Sequence, residues 1–255
     1  MTLQLIHEGS VSRIRMKLAP MNLLNLEVLD ELINLHQQAD KHPETRVIVT
    51  QSDLPNMFCN GLDPMYVLKA DRAGREAIFR GIARLFRDLL SLQKPHLAVL
   101  NGPAMAGGAI IALTADFRLM DQEHGRFCFS EPKVGLPIPQ AIAQTIAHFC
   151  APAALREVVL MGKNMDAAYA VQVGMADWAG PSSELMEATQ TQVAKLERLS
   201  PAVLAATKQA LRGHLIRMAQ GFADDAGDFL HFVEDDFVGE GLKALVEGRK
   251  PQFKR

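Results

Sequence analysis

LAVLNGPAMAGGAIIALTA, residues 97–115, is the stretch that decides the fold. Its length and apolar character resemble a membrane span on a hydropathy profile. Asn101, Gly102 and Pro103 break the run near its middle, and no strong basic flank sets an orientation. The stretch therefore reads as a buried strand, Leu97 to Leu100, a tight turn at 101–103, and a buried helix that opens on Gly107 and Gly108.

Outward from this unit the pattern alternates between strand and helix. Leu3 to His7 and Val11 to Met16 alternate apolar with polar residues around Gly9, which predicts two paired strands. Asn25 has the character of a helix N-cap, followed by a stripe of Leu26, Leu29, Leu32, Ile33 and Leu35 that must end before Pro43. RVIVT at 46–50 reads as a buried strand. Phe79, Ile82, Phe86 and Leu89 recur at helical spacing and predict a long amphipathic helix ending before Pro95. Phe117 to Met120 and Arg126 to Phe129 read as further strands. Beyond about Gln140 helical periodicity takes over and strands nearly vanish, with Ser200-Pro201 as a helix start and Gly248 as a stop. The expectation is an α/β core over residues 1–195 and a helical region over 196–255.

Composition narrows the function. The chain has 255 residues, 48% hydrophobic and 22% charged, with net charge −2, which excludes a disordered or disulfide-dense protein. No block of like charge favours nucleic acid or a membrane surface, and aromatics at 6% are too few for a base-stacking platform. Neither nucleic acid nor membrane is thus expected as a partner. The start is interrupted by Gln4, His7 and Glu8 and lacks the apolar core of a secretory signal. Cys59, Cys128 and Cys150 are odd in number and form no CxxC, so free thiols and a cytoplasmic setting are expected. HExxH, paired-cysteine zinc spacing, an EF-hand loop, GxSxG, GxGxxG and a P-loop are all missing, and no metal site is predicted. His96, inside the apolar strand, reads as a satisfied core residue rather than a ligand.

Two segments carry chemistry. MFCNGLDP at 57–64 follows a buried strand, and AMAGGAII at 104–111 follows the turn of the opening stretch. Glycines at a helix mouth let backbone amides approach a ligand, and the helix N-terminus favours negative charge. By itself Gly107-Gly108 is weak evidence for a site and reads more readily as tight helix packing.

Taken together, the motifs resemble the crotonase, or enoyl-CoA hydratase/isomerase, family along almost the whole chain. They are Asn22-Leu23-Leu24-Asn25, FCNGLD at 58–63, KPHLAVLNGPAMAGGAIIALTAD at 94–116, Leu160-Met161-Gly162 with Ala167, Ala170 and Gly174, Ser200-Pro201 with Lys208, and the closing EGLKALVEGRKPQF. The resemblance implies an α/β superhelix of stacked ββα turns with a C-terminal helical oligomerisation or lid region, assembled as a homotrimer or hexamer. It implies an acyl-coenzyme A thioester as substrate, with no separate cofactor. Its enolate oxygen would rest on the backbone N–H groups of Leu62 and Gly107. Cys59, Asn60, Gly61, Asp63, Met65, Gly108, Ile110 and Leu136 would line the substrate site, with Gln140 and Gln144 nearby. Ala106 replaces the family's first glycine. Alanine tolerates helical dihedrals but not left-handed ones, so helical backbone is expected at Ala106.

The acid–base residues divide the family. Hydratases resemble one another in carrying two glutamates, a set suited to adding water. The first of those positions is Ile110 here, and the second aligns with Glu131 in RFCFSEPKVGL, where Ser130 replaces the usual proline and Pro132 follows. One carboxylate suffices for a 1,3-proton shift, the pattern of the Δ3,Δ2-enoyl-CoA isomerases, which Pro20-Met21-Asn22 and Phe129-Ser130-Glu131 also resemble. Phe129, Val134, Leu136 and Ile138 are expected to raise the pKa of Glu131 by desolvation. Other crotonase reactions (hydration, decarboxylation, thioester hydrolysis) and a non-catalytic acyl-CoA scaffold remain alternatives. Coenzyme A phosphates need positive charge, for which Lys17, Lys94, Arg249, Lys250, Lys254 and Arg255 are the candidates.

Overall fold

The alternating residues at the start form β1 (Thr2–Glu8) and β2 (Val11–Lys17), an antiparallel pair turning at Gly9. The computed structural model describes residues 2–225, 227–233 and 236–253. From β2 onward the main sheet is parallel: β3 (Val47–Ser52), β4 (His96–Leu100), β6 (Phe117–Asp121) and β9 (Trp178–Gly180) add in the order β1-β2-β3-β4-β6-β9. A smaller sheet takes β5 (Pro103–Met105), β7 (Arg126–Cys128) and β8 (Met165–Asp166). From β4 to β7 the chain alternates between the sheets, β4 and β6 joining the main one and β5 and β7 the smaller, and ββα units stack into a superhelix. Among the described residues no helix is long and apolar enough to cross a membrane.

Strands buried on both faces explain the continuous apolar runs. Val47, Val49, Leu97, Val99 and Leu119 face α8 (Leu185–Glu197), whereas Ile48, Ala98, Leu100 and Met120 face the main core. That core also receives Leu29, Leu32 and Leu35 of α1 (Leu26–Lys41) and Leu85, Phe86 and Leu89 of α3 (Arg72–Leu90). Asn25 caps α1 by accepting the Val28 N–H at 2.9 Å. Between the two helices in sequence lies the short α2 (Pro64–Lys69). The opening stretch becomes β4, the turn, β5 and α4 (Gly107–Thr114), a helix buried along its whole length.

In the second half strands nearly vanish, as expected, and two short ones remain among the described residues. β8 has 2 residues and β9 has 3, too few to print an alternation, yet β9 completes the edge of the main sheet. The helices of this half are α5 (Gln140–Phe149), α6 (Leu155–Leu160), α7 (Ala167–Gln172), α8, α9 (Pro201–Asp224), α10 (Gly227–Val233) and α11 (Asp236–Val246). Ser200 precedes α9 but makes no side-chain capping bond, leaving Pro201 in the first turn as the start signal.

α9 is fastened to the core by charge. Lys208 Nζ meets Asp116 Oδ2 at 2.7 Å and the Lys94 carbonyl at 2.9 Å, while Arg212 Nη1 meets Asp116 Oδ1 at 3.1 Å. A second buried polar chain runs through Thr50, whose hydroxyl lies 2.7 Å from His36 Nε2 and 2.8 Å from His96 Nε2. His96 is the core residue expected, but half satisfied: its Nδ1 has no partner among the described residues. Cys59, Cys128 and Cys150 are free and buried.

Candidate active site

The two glycine-bearing segments are zipped together. Cys59 N–H donates to the Pro103 carbonyl at 3.0 Å, and Met105 N–H donates to the Cys59 carbonyl at 2.9 Å. Asn22 organises the join from behind. Its Oδ1 accepts the Leu18 N–H at 2.7 Å, and its Nδ2 donates to the Phe58 carbonyl at 2.7 Å and to Ser52 Oγ at 2.8 Å. Gly61 has φ +83, and a β-carbon there would stand 2.8 Å from the Met105 carbonyl oxygen and 3.0 Å from the Gly107 nitrogen. Only glycine lets these backbones approach so closely.

Two N–H groups are left over where the segments meet. Leu24 N–H donates to the Gly61 carbonyl, and Asp63 N–H donates to the Leu24 carbonyl, which bypasses the Leu62 N–H. Gly107 opens α4, so its N–H has no helical partner, and among the described residues neither group makes a hydrogen bond within the protein.

Ala106 corrects the expectation of helical backbone there. It adopts φ +46, ψ −115, a region left almost entirely to glycine. The reason is the junction it serves. Its N–H is held by the Cys128 carbonyl at 2.9 Å while its carbonyl accepts the Ile110 N–H at 2.9 Å, and meeting both ends forces the turn. Strain of this kind costs of order 1–3 kcal/mol and persists only where surroundings impose it.

The bond from Ala106 to Cys128 leads to the carboxylate. Glu131 begins a 3₁₀ turn, Glu131–Val134, closed by Gly135 at φ +75. Its side chain is buried, and its Oε2 has no hydrogen-bond partner among the described residues. Burial pushes its pKa up to about 7. Val134 and Leu136 join an apolar cluster with Leu62, Val67, Phe79, Leu230 and Leu242. α11 packs over the turn: a β-carbon on Gly241 would lie 2.3 Å from the Val134 carbonyl oxygen. Unspent amides at a helix mouth favour negative charge, and a buried carboxyl titrating near neutrality can take up and release a proton.

The sequence model of the enoyl-CoA hydratase/isomerase family matches residues 7–255. The chain belongs to that family. A putative enoyl-CoA hydratase of Thermus thermophilus is 28% identical over 245 residues, covering 91% of this chain and 92% of that protein. Human mitochondrial enoyl-CoA delta isomerase 1 is 24% identical over 247 residues, covering 96% of this chain and 82% of that protein. The crystal structure of human mitochondrial delta3-delta2-enoyl-CoA isomerase superposes with a TM-score of 0.90 at 23% identity, covering 96% of this chain and 97% of that one, which shows the shared fold. The relatives thus include both named activities of this acyl-CoA enzyme family.

Not all residues expected at a hydratase/isomerase site present side chains to it. Cys59 is fully buried, its thiol donates to the Asn22 carbonyl at 3.1 Å, and burial raises its pKa to about 12. Asp63 caps α2, accepting the Met65 and Tyr66 N–H groups at 2.9 and 3.3 Å. Asn60 is half-buried, its N–H held by the Met21 carbonyl at 3.1 Å. Met65 is exposed, Ile110 is buried within α4, and Gly108 is pressed against the Cys59 carbonyl. Gln140 is exposed at the start of α5, one turn before Gln144.

The basic candidates separate. Lys94 is spent on the Ala39 and His42 carbonyls at 3.2 and 2.5 Å, which removes it as a phosphate ligand. Arg249 pairs with Glu240 at 2.6 Å and Glu247 at 2.5 Å. Lys17 and Lys250 are exposed, and Lys254 and Arg255 lie outside the described residues. Asn22 and Gly241 are the positioning residues that motif reading passed over. Asn22 was visible only as one letter of Asn22-Leu23-Leu24-Asn25, and Gly241 as one of the closing segment.

Proposed function

We propose that the protein is an enoyl-CoA isomerase that moves the double bond of a 3-enoyl-CoA thioester to the 2-position. The thioester carbonyl oxygen sits on the Leu62 and Gly107 N–H groups. The Glu131 carboxylate removes a proton from C2, the electron pair delocalises onto the thioester oxygen, and the same carboxyl delivers the proton to C4. The double bond passes from C3–C4 to C2–C3 with no net gain or loss of atoms. Preorganised amides matter most where charge develops, each typically contributing about 10²–10³ in rate. On this reading coenzyme A enters as part of the substrate, no further cofactor is used, and residues 196–255 support a homotrimer or hexamer.

The observation that carries the reading is Glu131 itself, a buried carboxyl with one oxygen unpartnered and a pKa near 7. The apolar Ile110 stands where a hydratase resemblance calls for a second carboxylate, leaving one proton carrier. The test is Glu131→Gln assayed with a 3-enoyl-CoA, following the ultraviolet absorbance of the conjugated product. Wild type is expected to turn over 3-enoyl-CoA and the variant to lose at least 10³ of kcat. Near-wild-type isomerisation by Glu131→Gln overturns the assignment. Wild-type activity confined to 2-enoyl or malonyl-type thioesters moves it to hydration or decarboxylation.

A further inference from the structure

The peptide unit between Ala106 and Gly107 holds the N–H that opens α4, and its two residues differ in what they tolerate. Ala106, at φ +46 and ψ −115, has the angles of the first central residue of a type II′ turn, a place that belongs to glycine. The bonds on either side of this unit fix different things. The Ala106 N–H, on the preceding peptide, is held by the Cys128 carbonyl at 2.9 Å, and that bond fixes φ. The Ala106 carbonyl, on the unit itself, accepts the Ile110 N–H at 2.9 Å. The Gly107 N–H at the other end makes no hydrogen bond among the described residues.

Rotating this one peptide unit by half a turn takes ψ of Ala106 from −115 to about +65 and leaves φ at +46. That is the edge of the left-handed helical region, small but open to L-residues. Gly107 must change its φ by the same half-turn, and as a glycine it accepts either sign. Gly61 leaves the side of the unit clear, since a β-carbon there would stand 3.0 Å from the Gly107 nitrogen and 3.1 Å from the Ala106 methyl. The rotation keeps the bond to Cys128 and gives up the bond to Ile110. It relieves the strain at Ala106. Backbone strain and one helical hydrogen bond are free energies of similar size, here opposed, so neither orientation wins by a wide margin. Glycine at position 106 would bear no strain in the observed orientation. The alanine creates the balance.

We propose that the Ala106–Gly107 peptide is a two-state element and that Ala106 is the positioning residue that sets its balance. In one orientation the Gly107 N–H joins the Leu62 N–H in receiving a thioester oxygen. In the other the Ala106 carbonyl takes the place of that N–H and repels the oxygen. A thioester therefore selects the first orientation, and its apparent affinity is reduced by the fraction of protein that holds it beforehand. The inference rests on the reading of the Leu62 and Gly107 N–H groups as the seat of the thioester oxygen. Any acyl-CoA reaction at this site shares that seat, whichever bond reacts.

Two readouts test this with wild type and Ala106→Gly. Coenzyme A and hexanoyl-CoA differ only in the acyl thioester, so a change confined to the second reports on the thioester oxygen. By titration calorimetry Ala106→Gly is expected to bind hexanoyl-CoA about two- to tenfold more tightly than wild type, the inverse of a competent fraction of roughly 0.1–0.5. Its affinity for coenzyme A should be unchanged. Nitrogen-15 relaxation dispersion of the Gly107 amide is expected to show microsecond-to-millisecond exchange in free wild type, quenched by hexanoyl-CoA and absent from Ala106→Gly. A merely structural strain at Ala106 would raise the resistance of the variant to urea and move neither readout. A flat dispersion profile in free wild type overturns the proposal, as does exchange that hexanoyl-CoA leaves in place. An equal gain in affinity for both ligands, or no gain for hexanoyl-CoA, also overturns it. Neither readout needs turnover, so failure of the isomerase reading in the Glu131→Gln assay leaves this result standing, and a flat dispersion profile leaves that assay standing.

Discussion

The carbonyl oxygen of Cys59 leaves no room for a side chain on Gly108, because a β-carbon there would lie 2.1 Å from it. The same oxygen accepts the Met105 N–H at 2.9 Å, so it is fixed in place and cannot yield. This contact sets the separation of the segments that present the Leu62 and Gly107 N–H groups. Gly108→Ala is therefore expected to push them apart by a sizeable fraction of an ångström. Misplacement near 1 Å costs about 10² in rate, and overpacking costs about 1–3 kcal/mol in stability. Steady-state kinetics and urea unfolding of the variant check both, and wild-type kcat/KM would show that the spacing is set elsewhere.

The units that form this junction were legible from residues 97–115 and 58–63, because strand, turn and glycine-led helix each leave a local signature. The backbone of Ala106 was not. Its positive φ arises where its N–H is held by Cys128, distant in sequence, while its carbonyl takes the first bond of α4 from Ile110, and no propensity of alanine points to it. β9 escaped for a different reason, since a strand of 3 residues carries no period. The carboxylate at Glu131 could be picked out by motif, but its covering by α11 depends on Gly241 fitting against Val134, a match of shapes between segments far apart in sequence. Lys94 and Asp63 were legible as charges, while what they hold is a tertiary matter.

Glu131 must be ionised to take a proton, and burial places its pKa at about 7. Below that value the fraction of competent enzyme falls tenfold per pH unit, and above it the rate levels off. The expected profile of kcat/KM for a 3-enoyl-CoA is thus a rise of slope one up to about pH 7, followed by a plateau. A profile already flat at pH 5.5 would mean that another base, or a carboxylate of ordinary pKa, does the work.

The same burial makes Glu131 a stability liability at neutral pH. A carboxyl whose folded pKa is raised contributes stability below its unfolded value near 4.5, and that contribution is lost as pH rises through about 7. The buried histidines act in the opposite sense. Burial lowers His36 to about 4 and His96 well below its ordinary value, so each withdraws stability as pH falls below about 6.5. Between pH 5 and 6 the unfolded chain holds more protons at the histidines, and the folded chain holds more at Glu131. Wild type should thus gain stability less steeply with rising pH than Glu131→Gln, in which the histidines act without the opposing carboxyl. Urea unfolding of both proteins at pH 5, 5.5 and 6 measures the difference in slope. Equal slopes would show that Glu131 titrates normally in the folded protein.

Asp116 holds two buried cations, Lys208 at 2.7 Å and Arg212 at 3.1 Å, and also accepts the His96 N–H at 2.8 Å. The side chains of Lys208 and Arg212 are only 9% and 2% exposed, so water cannot replace the lost carboxylate. Asp116→Asn is expected to destabilise the fold by roughly 3–5 kcal/mol, the usual cost of leaving buried charge uncompensated. Lys208→Met removes one cation and leaves Arg212 with its partner, so its loss should be less than half as large. The double variant distinguishes charge from packing. If charge dominates, Asp116→Asn combined with Lys208→Met is more stable than Asp116→Asn alone, because one orphaned cation has gone. Additive losses in urea unfolding would assign the role of Lys208 to the packing of its methylenes between α9 and the end of β4.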